Sequence, residues 1–363
     1  MMLLLKFVGG LVVLIVGAEV FVKGASRIAA MLGIPPLVIG LTVVAFGTSS
    51  PELAVSLMSS MEGSTGIALG NVVGSNIFNV LFILGITSLI LPLVVAQQLI
   101  RLDVPIMIAT ALIALGFALD GTIRLWEGLV LLLIGIAYVV FLIRMSKQEK
   151  DPAVLEEYRE EYALPSKKVA NKKWFFLLLI LVGLGMLILG SRWLVDSAIL
   201  MAQSLGISEM VIGLTIIAAG TSLPEVATSI IASIRGERDI AVGNVVGSNI
   251  FNIVFILGIV AVVGNGVPVT PAALWFDLPV MVAVSLACMP IFFTGKRLDR
   301  WEGFVFLGYY LAYVFYLILK NAQYESLKAY TVAMTWFVIP LTILTLVVMS
   351  IREFMVNGKG TKK

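Results

Sequence analysis

The sequence of 363 residues contains no histidine and only one cysteine, Cys288. Without histidine, the chain lacks the commonest metal ligand and the usual proton carrier near neutral pH. A lone cysteine excludes an internal disulfide. Charged residues are also scarce, at 13% of the chain, whereas soluble domains carry about 25%. A site built on imidazole or on paired thiolates is therefore excluded, and so is an ordinary soluble domain.

What the sequence has instead is apolar residues, which make up 60% of the chain and raise its mean hydropathy to +1.06. This composition predicts an all-α protein that crosses the bilayer many times, because each span needs an apolar run of roughly 17–25 residues. Ten such runs fall into two sets of five, and an eleventh follows them. The predicted spans are residues 3–30, 36–61, 65–90, 104–119, 125–143, 174–200, 209–234, 240–263, 274–293, 301–319 and 330–351.

One segment of the chain occurs twice. Residues 42–79 begin TVVAFGTSSPELA and end GNVVGSNIFN; residues 215–252 begin TIIAAGTSLPEVA and end in the same ten residues, 173 positions later. Because an odd number of spans separates the copies, the second must cross the membrane in the opposite direction. Inverted repeats are typical of secondary transporters, whose ion sites lie near the midplane where the repeats meet. The predicted divisions are a first repeat (1–146), a cytoplasmic connector (147–173), a second repeat (174–320) and an extra span with a tail (321–363).

Each copy interrupts its apolar run with a Gly-Thr-Ser-x-Pro-Glu motif. Proline lacks an N–H and clashes with the carbonyl four residues earlier, so it breaks a helix, and a glycine at that earlier position eases the unwinding. The freed carbonyls must meet protein, water or a cation, since lipid offers them no hydrogen bond. A glutamate then falls in the first turn of the new half-helix, where the helix dipole favours negative charge. The predicted helix-break residues are Gly47, Pro51, Gly220 and Pro224, and the glutamates are Glu52 and Glu225.

Every group that the breaks offer is an oxygen, from backbone carbonyls, hydroxyls and one carboxylate each. Hard cations such as Ca²⁺ take about six to eight oxygen ligands, whereas soft metals prefer sulfur or imidazole. More oxygens follow in the next span, where Ser75 and Asn79, like Ser248 and Asn252, are four residues apart on one helix face. Acids inside a membrane are costly and usually functional. The sequence therefore predicts a cation site, with an internally paired structural charge as the alternative for each glutamate.

On these motifs, the chain resembles the sodium/calcium exchanger family of the cation/calcium exchanger superfamily, in its prokaryotic type, over the first ten spans. The resemblance implies an antiporter, not an enzyme, that exchanges Na⁺ for Ca²⁺ by alternating access while spans 1 and 6 slide over a fixed core. It implies no cofactor, and the expected partners are the two transported ions and the lipid bilayer, with no nucleic acid. The implied Ca²⁺ ligands are Glu52, Glu225 and the backbone carbonyls of Thr48 and Thr221. The implied Na⁺ ligands are Ala45, Ser49, Glu52, Ser75, Asn79, Ala218, Ser222, Glu225, Ser248 and Asn252.

The coupling ion has alternatives. Potassium-dependent exchangers carry Asp where this chain has Asn252, and proton/calcium exchangers differ near Gly70 and Asn71, so the sequence favours neither. Protons could still replace some Na⁺ at the glutamates. Two carboxylates are neutralised by one Ca²⁺, whereas three Na⁺ would leave one positive charge. The three-to-one exchange implied by the resemblance would therefore be electrogenic.

Two other classes of function compete with an antiporter. A cation channel would use Glu52 and Glu225 as a selectivity ring, but inverted halves within one chain favour alternating access. A membrane-embedded hydrolase would need a nucleophile with an adjacent base. The sequence offers neither that arrangement nor an Asp dyad.

The basic residues predict the orientation, because Lys and Arg are enriched in cytoplasmic loops. With the N-terminus outside, 19 of the 25 basic residues are cytoplasmic. The chain is therefore predicted to lie in the cell membrane with a cytoplasmic C-terminus. Two charge pairs also recur with swapped signs, Glu19 with Lys23 and Arg192 with Asp196. Since the members of each pair are four residues apart, we expect each pair to be neutralised within its own helix.

Overall fold

The computed structural model describes residues 2–32, 34–63, 65–148, 173–204 and 218–321, and the short segments 327, 331–332 and 334–340. Within these residues, eight helices are long and apolar enough to cross a membrane, and one further span consists of two helices that meet at a bend of 45°. The predicted all-α membrane fold is confirmed. Most of the predicted connector, residues 209–217 of the seventh span and most of the eleventh span lie outside the described residues.

In the first half of the chain, the described residues form six helices and two short strands. Three helices include a wider π-helical turn, at Gly40–Val44, Asn79–Leu84 and Leu99–Asp103. The elements are α1 (Met2–Leu32), α2 (Pro36–Thr48), α3 (Ser50–Met61), α4 (Thr65–Ile90), β1 (Leu93–Val94), α5 (Leu99–Ala118), β2 (Thr122–Ile123) and α6 (Leu125–Gln148).

The second half repeats this order. Its π-helical turns, Asn252–Leu257 and Ala273–Asp277, match two of those in the first half, and a further π-helical segment lies at Met334–Val338. The elements are α7 (Lys173–Ser204), α8 (Ala218–Gly220), α9 (Leu223–Ile234), α10 (Arg238–Val263), β3 (Val267–Pro268), α11 (Ala273–Phe293), β4 (Arg297–Leu298) and α12 (Arg300–Asn321).

The fourth predicted span starts too late. Helix α5 begins at Leu99, five residues before the predicted start at residue 104. The prediction placed the start after Asp103 because charged residues are typical of loops. In the structure, Asp103 accepts hydrogen bonds from the Tyr138 hydroxyl at 2.9 Å and from the Gln98 amide at 3.1 Å. A carboxylate with both oxygens paired can lie within a helix near the membrane boundary.

Two short ribbons connect the halves crosswise. Strand β1 of the first half pairs antiparallel with β4 of the second, and β2 pairs in the same way with β3. Leu93 lies opposite Leu298, and Ile123 opposite Val267. The two halves are thus tied together by equivalent contacts on each side of the core, whose most buried members are the repeat helices α4 and α10.

Helices α1 and α7 form a closely packed antiparallel pair. A Cβ atom on Gly17 would lie 2.8–2.9 Å from Met186 and Leu187, and one on Gly183 would lie 2.6 Å from the backbone of Phe21. Only glycine allows such an approach of two backbones, which is how small residues promote helix packing in membranes. The two helices therefore pack as one body, which we call the α1–α7 pair.

The predicted charge pairs within single helices are wrong for the two acids. Glu19 forms an ion pair with Arg235, which follows α9, and Asp196 of α7 pairs with Lys6 of α1 at 2.9 Å. Because the helices pack so closely, these carboxylates reach bases on neighbouring helices instead of bases four residues away.

Candidate cation site between the two repeats

The first helix break lies where the Gly-Thr-Ser-x-Pro-Glu motif predicts it. Helix α2 ends at Thr48, Ser49 adopts a turn conformation with φ −78° and ψ 7°, and α3 begins at Ser50. Pro51 occupies the first turn of α3, where its missing N–H costs nothing. Glu52 follows in the same turn and is 1% exposed. The break therefore buries one carboxylate at the N-terminus of a half-helix.

The second break repeats this geometry with one difference. Ser222 has φ −87° and ψ 8°, and Pro224 and Glu225 lie in the first turn of α9, with Glu225 also 1% exposed. The carbonyl of Gly220, which the proline frees, accepts a hydrogen bond from the Ser191 hydroxyl at 2.7 Å. The residue 173 positions before Ser191 is Ala18, which has no hydroxyl. The freed carbonyl thus meets protein in the second repeat.

The two breaks face each other, because each glutamate is bound by a serine of the opposite repeat. The Ser222 hydroxyl donates to Glu52 Oε1 at 2.7 Å, and the Ser49 hydroxyl donates to Glu225 Oε1 at 2.9 Å. Ser222 also lies 3.2 Å from the hydroxyl of Ser75 in α4. The structure therefore brings both glutamates, both serines of the breaks and Ser75 into one buried cluster.

The threonines of the motif use their hydroxyls for contacts across the repeats. The Thr48 hydroxyl lies 3.0 Å from Asn244 Oδ1, and the Thr221 hydroxyl lies 3.4 Å from Asn71 Oδ1. Asn71 also donates to Ser56 at 2.9 Å. Each threonine is thereby tied to the second helix after the break of the opposite repeat, Thr48 to α10 and Thr221 to α4.

The alanines predicted for Na⁺ lie at the ends of the same helices. Ala45 is buried in α2, and its carbonyl accepts the N–H of Ser49 at 3.0 Å. Ala218 begins α8, and its side chain lies outside the described residues.

Five buried oxygens of the predicted residues have no hydrogen-bond partner within the described part of the chain. A buried polar atom without a partner costs about 1–3 kcal/mol, so such atoms point to a missing ligand. All five are acceptors or can act as such, and oxygens are what a hard cation binds. They are Glu52 Oε2, Glu225 Oε2, Asn79 Oδ1, Asn252 Oδ1 and Ser248 Oγ.

The cluster contains two carboxylates and no third. Among the residues that the structure describes, no group of three or more His, Cys, Asp or Glu side chains comes together. Glu52 and Glu225 therefore supply a charge of about −2 when ionised, and the remaining oxygens are neutral. One divalent cation would balance this charge.

Four asparagines near the site were missed by the sequence reasoning, namely Asn71, Asn76, Asn244 and Asn249. All four lie in α4 and α10 and are hydrogen-bonded. The available signal was the identity of residues 70–79 and 243–252, which contain three asparagines each. Only Asn79 and Asn252 were chosen from it, because spacing within one helix does not reveal contacts between two helices.

The chain matches a family model described as "Sodium/calcium exchanger protein" over residues 2–144 and 175–319. It is 38% identical to the inner membrane protein YrbG of Escherichia coli (strain K12) over 280 residues, which are 76% of this chain and 84% of that protein. It is 35% identical to the sodium/calcium exchanger MaX1 of Methanosarcina acetivorans over 335 residues, covering 84% of this chain and 95% of that protein.

The fold is also similar to solved structures of the sodium-calcium exchanger NCX_Mj. One of them, soaked with 2.5 mM Na⁺ and 1 mM Sr²⁺, superposes with a TM-score of 0.74 and 31% sequence identity. The match covers 86% of this chain and 98% of that chain. The likeness therefore extends over nearly the whole of NCX_Mj.

Proposed function

Because the chain belongs to the sodium/calcium exchanger protein family, we propose that it is an antiporter that exchanges Na⁺ for Ca²⁺ across the membrane. One observation carries this proposal: two buried glutamates, bound crosswise by Ser49 and Ser222, stand among further buried oxygens without partners. An all-oxygen set with a charge of −2 suits Ca²⁺. The same oxygens suit Na⁺ when several ions share the two charges.

We assign the ligands as the family resemblance implies them. Ca²⁺ is bound by Glu52, Glu225 and the backbone carbonyls of Thr48 and Thr221. The Thr48 and Thr221 hydroxyls are engaged with the opposite repeat, which supports a role for their carbonyls instead. The Na⁺ ligands are the two glutamates together with Ala45, Ser49, Ser75, Asn79, Ala218, Ser222, Ser248 and Asn252.

With three Na⁺ exchanged for one Ca²⁺, each cycle moves one net charge. The membrane potential then contributes about 2.3 kcal/mol per charge per 100 mV. A cell interior that is negative would therefore help to drive Ca²⁺ out. We place the chain in the cell membrane with the N-terminus outside and the C-terminus in the cytoplasm, as the basic residues predict.

The position of the α1–α7 pair supports alternating access. Helix α1 packs along α9, and α7 reaches α9 as well, whereas neither helix packs comparably on α3 within the described residues. Because α3 and α9 are copies of one sequence pattern, α3 offers the α1–α7 pair a surface that corresponds to the one it contacts on α9. Sliding of the pair from α9 to α3 would cover one end of the site while it opens the other.

Charged residues on the α1–α7 pair and at the ends of α3 and α9 are consistent with two resting positions of the pair. In the structure, Glu19 of α1 binds Arg235 at the end of α9. The residues 173 positions away are Arg192 and Glu62, so the same pair exists in the other repeat with exchanged signs. Both are exposed, and no ion pair joins either to another described residue. We expect Arg192 to bind Glu62 when the α1–α7 pair rests on α3.

The experiment that tests the proposed exchange is Ca²⁺ counterflow. Purified protein in Na⁺-loaded vesicles should take up ⁴⁵Ca²⁺ when external Na⁺ is low, and uptake should vanish when Na⁺ is equal on both sides. Protein-free vesicles and the Glu52→Gln variant serve as controls. Uptake that ignores the Na⁺ gradient would contradict the proposal; uptake that follows a pH gradient would identify a proton exchanger, and a requirement for K⁺ a potassium-dependent one.

A further inference from the structure

Asn76 in α4 and Asn249 in α10 lie between the two repeats and have no assigned role. Their side chains are 2% and 1% exposed. Asn76 Nδ2 donates to the backbone carbonyl of Asn249 at 3.2 Å, and Asn249 Nδ2 donates to the backbone carbonyl of Asn76 at 3.2 Å. The same nitrogens face the thioethers of Met281 and Met107, at 3.5 and 3.7 Å. The two amides are thus anchored on each other's backbone.

This anchoring also fixes the orientation of the Asn79 amide. A backbone carbonyl can only accept, so the nitrogen of Asn249 must face Asn76 and its Oδ1 must point the other way. Asn249 Oδ1 then lies 3.0 Å from Asn79 Nδ2. Since an oxygen without a proton cannot donate, Asn79 must turn its nitrogen toward Asn249 and its own Oδ1 away.

The other half of the molecule repeats this arrangement. Asn76 Oδ1 accepts from Asn252 Nδ2 at 2.9 Å, which turns Asn252 Oδ1 away in the same manner. The two oxygens that result, on Asn79 and Asn252, are among the buried oxygens without a partner in the described part of the chain. Each repeat therefore orients the ion-site asparagine of the other.

We propose that Asn76 and Asn249 are positioning residues that hold the side-chain oxygens of Asn252 and Asn79 toward the transported cation. The inference rests on the proposed function. An amide that turned over would present two N–H groups, which repel a cation, where it now presents an oxygen ligand. Asn76 and Asn249 do not bind the ion themselves; they determine that their partners do.

The test is a double-mutant cycle on Na⁺ binding to purified protein, measured as the displacement of bound ⁴⁵Ca²⁺ by Na⁺. Asn249→Ala frees the amide of Asn79 to rotate, and we expect Na⁺ affinity to fall by about tenfold, which corresponds to roughly 1.4 kcal/mol. In an Asn79→Asp background, the carboxylate presents an oxygen in either orientation. Asn249→Ala should therefore weaken binding much less there, by about twofold or less.

A background with Asn252→Asp is the matched control, because Asn252 is oriented by Asn76 and not by Asn249. The loss caused by Asn249→Ala should remain about tenfold in that background. A packing role of Asn249 would give the same loss in all three backgrounds, and that result would overturn the proposal. Unchanged binding in Asn249→Ala would overturn it as well.

If Asn249→Ala does not fold, Asn76→Ala provides the equivalent test in the other repeat. Asn76→Ala should weaken ion binding, and Asn252→Asp, but not Asn79→Asp, should relieve the loss. Relief by Asn79→Asp alone would overturn the crosswise assignment. Ca²⁺ binding by wild-type protein that shows no Na⁺-dependent flux would instead contradict the proposed function and leave this assignment standing.

Discussion

Helices α3 and α9 are copies of one sequence pattern, yet they have different surroundings. Ala54 and Ala227 hold equivalent positions, and Ala54 is exposed whereas Ala227 is only 8% exposed. Val55 is 39% exposed, while its counterpart Thr228 is fully buried. Because the same alanine is open in one copy and covered in the other, we attribute the difference to the α1–α7 pair, which packs far more extensively on α9 than on α3 within the described residues.

The centre of the molecule does not share this asymmetry. Each glutamate accepts a serine hydroxyl of the opposite repeat, at 2.7 and 2.9 Å. The same hydrogen bonds also form in both directions among Asn76, Asn79, Asn249 and Asn252. Ser75 is an exception, since its hydroxyl meets Ser222 whereas its counterpart Ser248 has no partner in the described residues. The main asymmetry therefore lies at the α1–α7 pair. A symmetric site can thus serve both sides of the membrane while one body moves.

The largest effect on transport is expected from cross-linking the α1–α7 pair to one of the two repeats. In a Cys288→Ser background, Glu19→Cys with Arg235→Cys should cross-link the α1–α7 pair to α9, and Arg192→Cys with Glu62→Cys should cross-link it to α3. Either cross-link should stop transport completely, because the pair can no longer slide. Thiol cross-linking followed by ⁴⁵Ca²⁺ flux checks this, with Glu19→Cys and Glu62→Cys together as a control that does not cross-link. Formation of the first cross-link alone would contradict two equivalent places.

Removal of one carboxylate should have the next largest effect, and it should be equal in the two repeats. Loss of one unit charge about 4 Å from the divalent ion, at an effective dielectric constant of about 20, costs about 8 kcal/mol, which is about a million-fold in affinity. Glu52→Gln and Glu225→Gln should therefore both abolish Ca²⁺ flux at low Ca²⁺. Asp120→Asn removes an exposed carboxylate paired with Arg124 and should leave flux unchanged. A variant with near wild-type flux at either glutamate would refute the shared site.

The crosswise serines should show a smaller and again equal effect. A hydrogen bond to a charged group contributes about 1.5–3 kcal/mol, so Ser49→Ala and Ser222→Ala should each weaken ion binding about 10- to 100-fold. Ser50→Ala is the matched control, because the Ser50 hydroxyl donates to the Phe46 carbonyl of α2 and not to a glutamate. Equilibrium Ca²⁺ and Na⁺ binding to the three variants measures the difference. A loss in Ser50→Ala as large as in Ser49→Ala would show that the glutamate contact is unimportant.

The smallest effect belongs to the ion pairs, which are partly exposed and contribute about 0.2–1 kcal/mol each. Glu19→Gln should weaken the contact with α9 and shift the population by up to about fivefold toward coverage of α3. Arg192→Gln should shift it in the opposite direction. Labelling of Met58→Cys or Ile231→Cys by a thiol reagent, in the Cys288→Ser background, measures the exposure of α3 or α9, respectively. Shifts in the same direction for both variants would contradict the exchange of pairs.

The sequence predicts the parts of this fold that depend on local chemistry. The proline and glycine of each motif place the breaks, and the structure has them at Ser49 and Ser222. The apolar runs place most helix ends within a few residues. The start of α5 was missed, because the pairing of Asp103 with Tyr138 in a different helix cannot be read from hydropathy.

Contacts between helices were harder to predict for the same reason. Glu19 has a base four residues away, yet it binds Arg235, because the packing of α1 against α9 decides its partner. Asn76 was overlooked although it lies in the repeated decapeptide, since its role depends on Asn249 across the interface. The ligand roles of the predicted site residues stay predictions, supported by their burial and by their unpartnered oxygens.

Competition between the two ions tests the central claim most directly, because the proposed antiporter would bind Ca²⁺ and Na⁺ through the same two glutamates, Glu52 and Glu225. Equilibrium binding of ⁴⁵Ca²⁺ to purified wild-type protein should show one Ca²⁺ per chain, and added Na⁺ should displace it completely with a Hill coefficient above 1. Ca²⁺ that stays bound at saturating Na⁺ would contradict the shared site.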